Sequence, residues 1–307
     1  MKKLLTSILI ATLVLTVFAG CGGSPSPAPQ APAAPDPQEP AAPVFDFNVN
    51  REIIVVSRES GSGTRGAFIE LTGVQVTVDG NTTDMTSPEA TIGNGTNAIM
   101  TNVAGDTYAI GYISTGSIND SIKPVSIDGV APTAENVLAG NYVIARPFII
   151  VTADNLEPVA EDFINFILSA QGQQIAAERY IPVDLSAPAF QSNGASGTVV
   201  IGGSTSVAPV MERLREAYIA INPGANIEVH GTGSGAGITG AIDGLLDIGM
   251  SSREIRESEM EQLDRQITIA MDGIAVIVNN NNPITNLTSE QVREIFTGEL
   301  TRWADVQ

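Results

Sequence analysis

The chain has 307 residues, 43% of them hydrophobic, and a formal net charge of −19. That length accommodates one large domain or two ordinary ones, and the hydrophobic share suits a globular core. Its only lysines are Lys2, Lys3 and Lys123, so no basic patch exists to follow a phosphodiester backbone, and the composition argues against nucleic acid as a partner.

Met1-Lys2-Lys3 is a basic start, and Leu4 to Phe18 is apolar apart from Thr and Ser. Ala19 and Gly20 then precede Cys21, the single cysteine. This pattern reads as an export signal over residues 1–20, too short for a comfortable transmembrane span. One cysteine permits no intrachain disulfide and no cysteine-based metal cluster. Phe18-Ala19-Gly20-Cys21 resembles the lipobox of bacterial lipoproteins, with Phe18 where Leu is usual. The resemblance implies that Cys21 is acylated and holds the protein on the extracytoplasmic face of a cell membrane. The alternative is an ordinary signal peptide with an incidental cysteine. Residues 21–45 then form a tether, with prolines at 25, 27, 29, 32, 35, 37, 40 and 43 among Ala, Ser and Gln. Such a segment cannot bury a core and is extended and semi-rigid, at roughly 3.1 Å per residue.

The folded part begins near Phe45. Alternation and β-branched runs predict strands over Ile53–Val56, Val74–Val78, Tyr108–Ile113, Ile122–Val125, Phe148–Thr152, Thr198–Ile201, Asn226–Val229, Asp247–Met250 and Gly273–Val278. Between them, helical patterns cover Thr64–Leu71, Ser87–Thr101, Thr133–Ala139, Pro158–Leu168, Gly172–Tyr180, Ala208–Asn222, Gly237–Gly244, Glu257–Asp264 and Ser289–Thr297. The alternation defines an α/β class. Gln191 to Gly197 is a small-residue joint that divides the folded part into two pieces.

Three strand–turn–helix junctions share one chemistry. Ile53–Val56 leads into Ser57-Arg58-Glu59-Ser60-Gly61-Ser62-Gly63-Thr64-Arg65; Val199-Val200-Ile201 leads into Gly202-Gly203-Ser204-Thr205-Ser206-Val207-Ala208-Pro209; Ile227-Glu228-Val229-His230 leads into Gly231-Thr232-Gly233-Ser234-Gly235-Ala236-Gly237. A helix start presents unpaired N–H groups and a partial positive charge, and glycine lets an oxyanion reach the backbone. Ser and Thr add hydroxyl donors, while Arg58 and Arg65 flank the first turn with forked ones. Taken singly, each turn is equally well a surface loop with a Ser or Thr cap.

Other uses of these residues are weaker. Gly235-x-Gly237-x-x-Gly240 follows a strand, as in dinucleotide sites, but the next strand ends in Met250-Ser251-Ser252 rather than in an acidic ribose ligand. No Lys follows any of the glycine turns, which excludes a Walker A loop, and none of Ser62, Ser204 or Ser234 lies in Gly-x-Ser-x-Gly. The lone His230 near Ser234 raises a hydrolase without a placed acid.

At these residues the chain resembles the phosphate-binding proteins of ABC-type phosphate importers. The match rests on Gly-Ser-Thr-Ser-x-Ala-Pro at 203–209, Gly-Thr-Gly-Ser-Gly-Ala-Gly at 231–237 and Ser-Arg-Glu-Ser-Gly-Ser-Gly-Thr-Arg at 57–65. Asp247 to Arg253, Ala109 to Tyr112 and Leu287 to Trp303 support it. The resemblance implies a two-lobed periplasmic-binding-protein fold of type II, each lobe a mixed sheet flanked by helices, with the ligand in the interlobe cleft. Its order is rearranged: residues 196–307 look like that family's first half and 46–190 like its second. We read this as circular permutation, which surface termini that lie close together tolerate; the rival is a truncated tandem gene. Permutation predicts crossing strands near Ala145–Thr152 and Met271–Val278, one lobe from 46–147 plus 276–307, and a contiguous lobe from 148–275.

Carried over residue by residue, the resemblance implies oxyanion contacts from Arg58, Ser62, Gly63, Thr64, Thr205, Ser206 and Ser234. Ser252 stands where the family often has a carboxylate that accepts the proton of hydrogen phosphate, and Ser60 where many members have Asp. Asp247 or Glu59 could supply the missing acceptor. The implied function is capture of inorganic phosphate for the permease of an ABC importer by a lipid-anchored monomer with no cofactor, no metal and no catalysis. A secreted phosphate-ester hydrolase, or a binder of another oxyanion such as sulfate, is the alternative.

Overall fold

Two runs of predominantly apolar residues, Ala145–Thr152 and Arg265–Val278, carry the chain between its two main hydrophobic cores. In the computed structural model, which describes residues 46–154 and 156–306, one core draws on residues 148 to 270 and includes Phe148, Phe163, Phe166, Met211 and Tyr218. The other draws on both ends of the folded chain, from Ile53 to Ile144 and from Ile274 to Val306, and includes Phe68, Tyr112, Phe296 and Trp303. The export signal, Cys21 and the tether lie outside the described residues.

In chain order the elements are β1 (Ile54–Arg58), α1 (Gly63–Leu71), β2 (Gln75–Val78), β3 (Asn81–Asp84), β4 (Thr91–Gly93), α2 (Thr96–Gly105) and β5 (Ala109–Ser114). Short β6 (Lys123–Pro124), β7 (Ser126–Ile127) and α3 (Ala134–Leu138) lead to the first crossing strand, β8 (Ala145–Thr152). Beyond it come α4 (Pro158–Ile167), α5 (Ala170–Ala177), β9 (Ile181–Pro182), β10 (Gly197–Gly203), α6 (Ala208–Ile221), β11 (Ala225–Gly231), α7 (Ser234–Ile242), β12 (Ile248–Ser251) and α8 (Glu257–Met260). The second crossing strand, β13 (Arg265–Val278), returns the chain to β14 (Asn286–Leu287) and α9 (Ser289–Thr297).

The main sheet follows the order β11-β10-β12-β8-β13-β5-β1-β4. Its outer parts are parallel: β10 pairs with β11 and β12, and β1 with β4 and β5. Between them β8 and β13 run antiparallel, with Asp272 opposite Arg146. In each parallel group the strands' carboxyl ends lead into helix starts, the usual place for a ligand in an open α/β sheet.

Local sequence explains most elements. In α9 Thr288 accepts from Gln291 N–H while the Gln291 side chain accepts from Thr288 N–H, a reciprocal cap. Val292, Ile295 and Phe296 then fall on one buried face, and Gly298, at φ 81°, ends the helix in the left-handed conformation. Two expectations need correction. The helix expected over Ser87–Thr101 is a strand, Thr91–Gly93, followed by a helix that starts only at Thr96. Gly95, at φ 84°, breaks the helical path. The strand expected over Val74–Val78 is present as Gln75–Val78, one half of a hairpin whose Asp79 and Gly80 both have positive φ, the two-residue turn that matches strand twist. The second crossing strand also begins at Arg265, six residues before the expected Met271.

The folded unit's ends lie side by side. Ile53 N–H donates to Thr301 C=O at 2.8 Å, Trp303 N–H to Arg51 C=O at 3.3 Å, and the Phe47 and Trp303 rings are 6.0 Å apart.

Phe296 packs edge-on against Phe68 and Tyr112, at 4.8 and 5.5 Å between ring centres, and joins the chain's C-terminal helix to β5 and α1. Phe296→Ala is expected to cost about 3–5 kcal/mol in chemical denaturation. A loss below about 1 kcal/mol would mean that this core does not bind the two chain ends together.

Candidate functional site

Each of the three Gly/Ser/Thr turns closes a parallel strand and opens a helix, and the fold brings all three together. Ser62 caps α1 by accepting from Arg65 N–H at 3.2 Å, so the capped-loop reading is true of it as well. The first-turn N–H groups of Gly63 and Thr64 precede any i→i−4 partner. Gly63 lies against the start of α7 and the end of β12: a Cβ there would stand 2.3 Å from Ser234 Oγ and 2.8 Å from Ser252 Oγ. Across the same line Gly235 N–H donates to Gly61 C=O at 3.0 Å.

Arg58, 2% exposed at the end of β1, organises the centre. Its Nε and Nη2 grip Glu59 in a bidentate pair, 2.7 Å each. Nη2 also donates to Thr205 Oγ1 at 3.0 Å, and Nη1 reaches Thr64 Oγ1 at 3.5 Å. Thr64 Oγ1 and Ser206 Oγ are 2.9 Å apart. Hydroxyls from residues 142 positions apart in sequence are thus in direct contact. A second group lies beside them: Ser204 Oγ donates to Ser252 Oγ at 2.8 Å, Ser252 N–H donates to Ser234 Oγ at 3.2 Å, and the Ser234 and Ser252 hydroxyls are 3.4 Å apart. Ser206, Ser234 and Ser252 are buried.

The backbone of Arg58 is fixed from beneath. Tyr112 Oη on β5 accepts from Arg58 N–H at 3.2 Å and bonds Ser57 Oγ at 2.9 Å, and its ring stacks on Phe68 at 3.9 Å. Arg65 points outward, donating to Arg58 C=O and to Asp84 at the rim, so of the two flanking arginines only Arg58 joins the hydroxyl group. The rim is an open polar cleft of about 810 Å³, lined by Ser60, Arg65, Arg253 and Glu259 among others.

Two residues that the sequence reading left out belong here. Thr96, at the start of α2, lies 3.3 Å from Thr205 Oγ1 and 3.5 Å from Ser206 Oγ. Gly95 N–H, at the same helix start, donates to Glu59. The signal was present in Gly93-Asn94-Gly95-Thr96, a fourth Gly/Thr junction hidden inside the over-long helix expectation. Of the acceptors considered in place of a carboxylate at 252, Asp247 accepts from Val200 N–H before β12 begins, at the opposite end of that strand from Ser252. Glu59 is at the site. Ser60 is exposed at the rim, and His230 is exposed on β11, 3.8 Å from Glu228.

The architecture of paired parallel groups joined by two crossing strands, with helix starts facing one another, is that of a two-lobed binding protein of the periplasmic type. The sequence profile of the PBP superfamily domain matches residues 38–171 and 188–307, and the chain belongs to that superfamily. Among curated proteins, it is 48% identical over 257 residues to phosphate-binding protein PstS 2 of Streptococcus agalactiae, spanning 83% of this chain and 87% of that one. PstS 2 of Streptococcus pneumoniae is 42% identical over 256 residues. The crystal structure of a phosphate-binding protein of a phosphate ABC transporter from S. pneumoniae TIGR4 superposes with a TM-score of 0.67 at 42% identity, covering 83% of this chain and all of that one.

Glu59 carries a testable charge. Partial burial opposes its ionisation, but the hydrogen bonds and charge of Arg58, with Gly95 N–H, outweigh burial and hold its pKa below the usual 4.5. A carboxylate depressed by folding contributes stability that is complete above the ordinary value and lost as pH falls through the folded value. Denaturation measured across this acid range is expected to show a shallower loss of stability in Glu59→Gln. An unchanged acid slope would mean that the Arg58–Glu59 pair contributes nothing to it.

Proposed function

We propose that the chain captures inorganic phosphate between its two jaws and delivers it to the permease of an ABC importer. The observation that carries this is the convergence, around one buried guanidinium, of hydroxyls from both halves of the chain: Thr64 and Thr96 on one side, Thr205 and Ser206 on the other. Hydroxyls can turn to donate, and helix starts add N–H groups, so a dehydrated oxyanion finds donors without a metal. In this reading Arg58, Ser62, Gly63, Thr64, Thr205, Ser206, Ser234 and Ser252 surround the anion, and Thr96 joins them. The names of the streptococcal relatives, phosphate-binding proteins, support the same ligand.

The jaws belong to two lobes, one of residues 46–147 plus 276–307 and the other of 148–275. Chain order is a circular permutation of the wider family's. The adjoining ends near Ile53 and Thr301 support that. The protein works as a monomer, held outside the cell by a lipid on Cys21. It performs no chemistry: exposed His230 pairs with Glu228, Ser62 serves as a helix cap, and Ser234 accepts from Ser252 N–H.

One observation keeps sulfate as a second ligand. Ser252, a hydroxyl that already accepts from Ser204, stands where the family often has a carboxylate, and it rejects an unprotonated oxyanion less strongly.

Calorimetric titration with phosphate and with sulfate tests the reading: one equivalent of phosphate is expected to bind more tightly than sulfate. Heat with neither anion would overturn the oxyanion site, and turnover of a generic phosphate ester that disappears in His230→Ala would replace it with a hydrolase. Arg58→Met is expected to cost about 2–5 kcal/mol of phosphate affinity, on the order of 30- to several-thousand-fold. Gly63→Ala, which changes no charge, is expected to weaken binding by about 1–3 kcal/mol, because the new methyl meets Ser234 as the jaws close. Wild-type affinity in Gly63→Ala would mean that the jaws do not meet there.

A further inference from the structure

The two crossing strands carry a buried ion pair that none of the anion contacts explains. Arg146 of β8 and Asp272 of β13 face each other in the strand register and are joined from Nη2 to Oδ2 at 3.2 Å, with 2% and 1% of each residue exposed. Asp272 is tied to one jaw's support: its Oδ1 accepts from Ser114 Oγ at 2.9 Å and Thr115 Oγ1 at 3.0 Å, at the end of β5. That is the strand whose Tyr112 holds the Arg58 backbone. Arg146 is tied to the other jaw, because its Nη1 donates to Ser252 C=O at 3.0 Å. Its Nε is buried without a partner among the described residues. Phe148 lies beneath the guanidinium, 5.5 Å from its carbon.

A buried pair with an unpartnered donor is poor value as a source of stability, since desolvation of both ions offsets most of their attraction. What the pair touches is more telling. One end grips the backbone of the serine whose hydroxyl links Ser204 and Ser234, and the other grips the strand behind Arg58. We propose that Arg146 is a positioning residue for the anion site: it fixes Ser252, and Asp272 sets Arg146 by reference to β5, so that the geometry of one jaw is registered against the other through the crossing strands. Arg146 does not touch the anion, and with Asp272 beside it the pair brings no net charge to the site. The proposal rests on the phosphate reading only for its affinity measurement.

The test uses the double variant Arg146→Met/Asp272→Leu, because Arg146→Met alone strands a buried carboxylate and can unfold the protein. The double replacement is expected to leave the melting temperature unchanged or raised. Amide exchange at Ser252, whose N–H is held by Ser234, is expected to accelerate while the β10–β11 ladder stays protected. Phosphate binding is expected to weaken about tenfold or more. Adding Ser252→Ala to the double variant is expected to cost much less than Ser252→Ala costs in the wild type, as it must if Arg146 acts through Ser252. Unchanged exchange at Ser252, or phosphate losses that simply add, would overturn the proposal. Should the wild-type protein bind no phosphate, the ligand reading fails, and the exchange experiment still decides the positioning role.

Discussion

A guanidinium shut away from water is costly unless most of its N–H groups are occupied, and the way Arg58 meets that demand shapes the whole site. Glu59 takes one edge of the fork and thereby aims the other at Thr64 and Thr205. The charge is neutralised by its neighbour in sequence, so the far edge is left among hydroxyls rather than carboxylates. Hydroxyls are neutral, cost less to bury than ions and can reverse their role from acceptor to donor. A group of this kind holds together without ligand and still offers several donors to an anion that enters it.

The fold supplies the second requirement, that donors far apart in sequence meet at one point. Parallel strands on either side of the crossing pair end in helix starts, and glycines thin the backbone where they meet. Gly63 is the clearest case, because any side chain there would occupy the space of Ser234. Contacts between the jaws are made by the backbone as well as by side chains, as between Gly61 and Gly235. Because the two ends of the folded chain are neighbours, the position at which the chain begins matters little to this geometry. One core is assembled from both ends and the other from the middle, and the crossing strands connect them.

Much of this was legible in the sequence because the signals were local. The α/β alternation, the Phe148–Thr152 part of the first crossing strand, the start and stop of α9 and the three Gly/Ser/Thr turns all follow from residues within a few positions of one another. The failures were of two kinds. Gly95 and Thr96 are hidden because a helical pattern runs through Gly93-Asn94-Gly95, and glycine is tolerated inside helices such as α7, so only the positive φ of Gly95 reveals the break; the Asp79-Gly80 hairpin is hidden because its second strand, Asn81–Asp84, is wholly polar and exposed. The other kind was beyond local reading. Nothing near Arg146 announces Asp272, 126 positions later, and nothing near Glu59 announces that its carboxylate meets the start of α2 while Asp247 stays at the far end of β12. Rotamers and long-range partners are decided by packing, which pattern and propensity do not encode.

The central claim is that residues from both halves of the chain enclose a single anion. A crystal structure of the protein grown with phosphate tests it most directly. The account predicts one tetrahedral anion in contact with the Arg58 guanidinium, the Ser62–Thr64 turn and the Thr205 and Ser234 helix starts, with the jaws closed over it. Phosphate bound instead at the outer rim near Arg65 and Arg253, or contacts from one jaw alone, would contradict it.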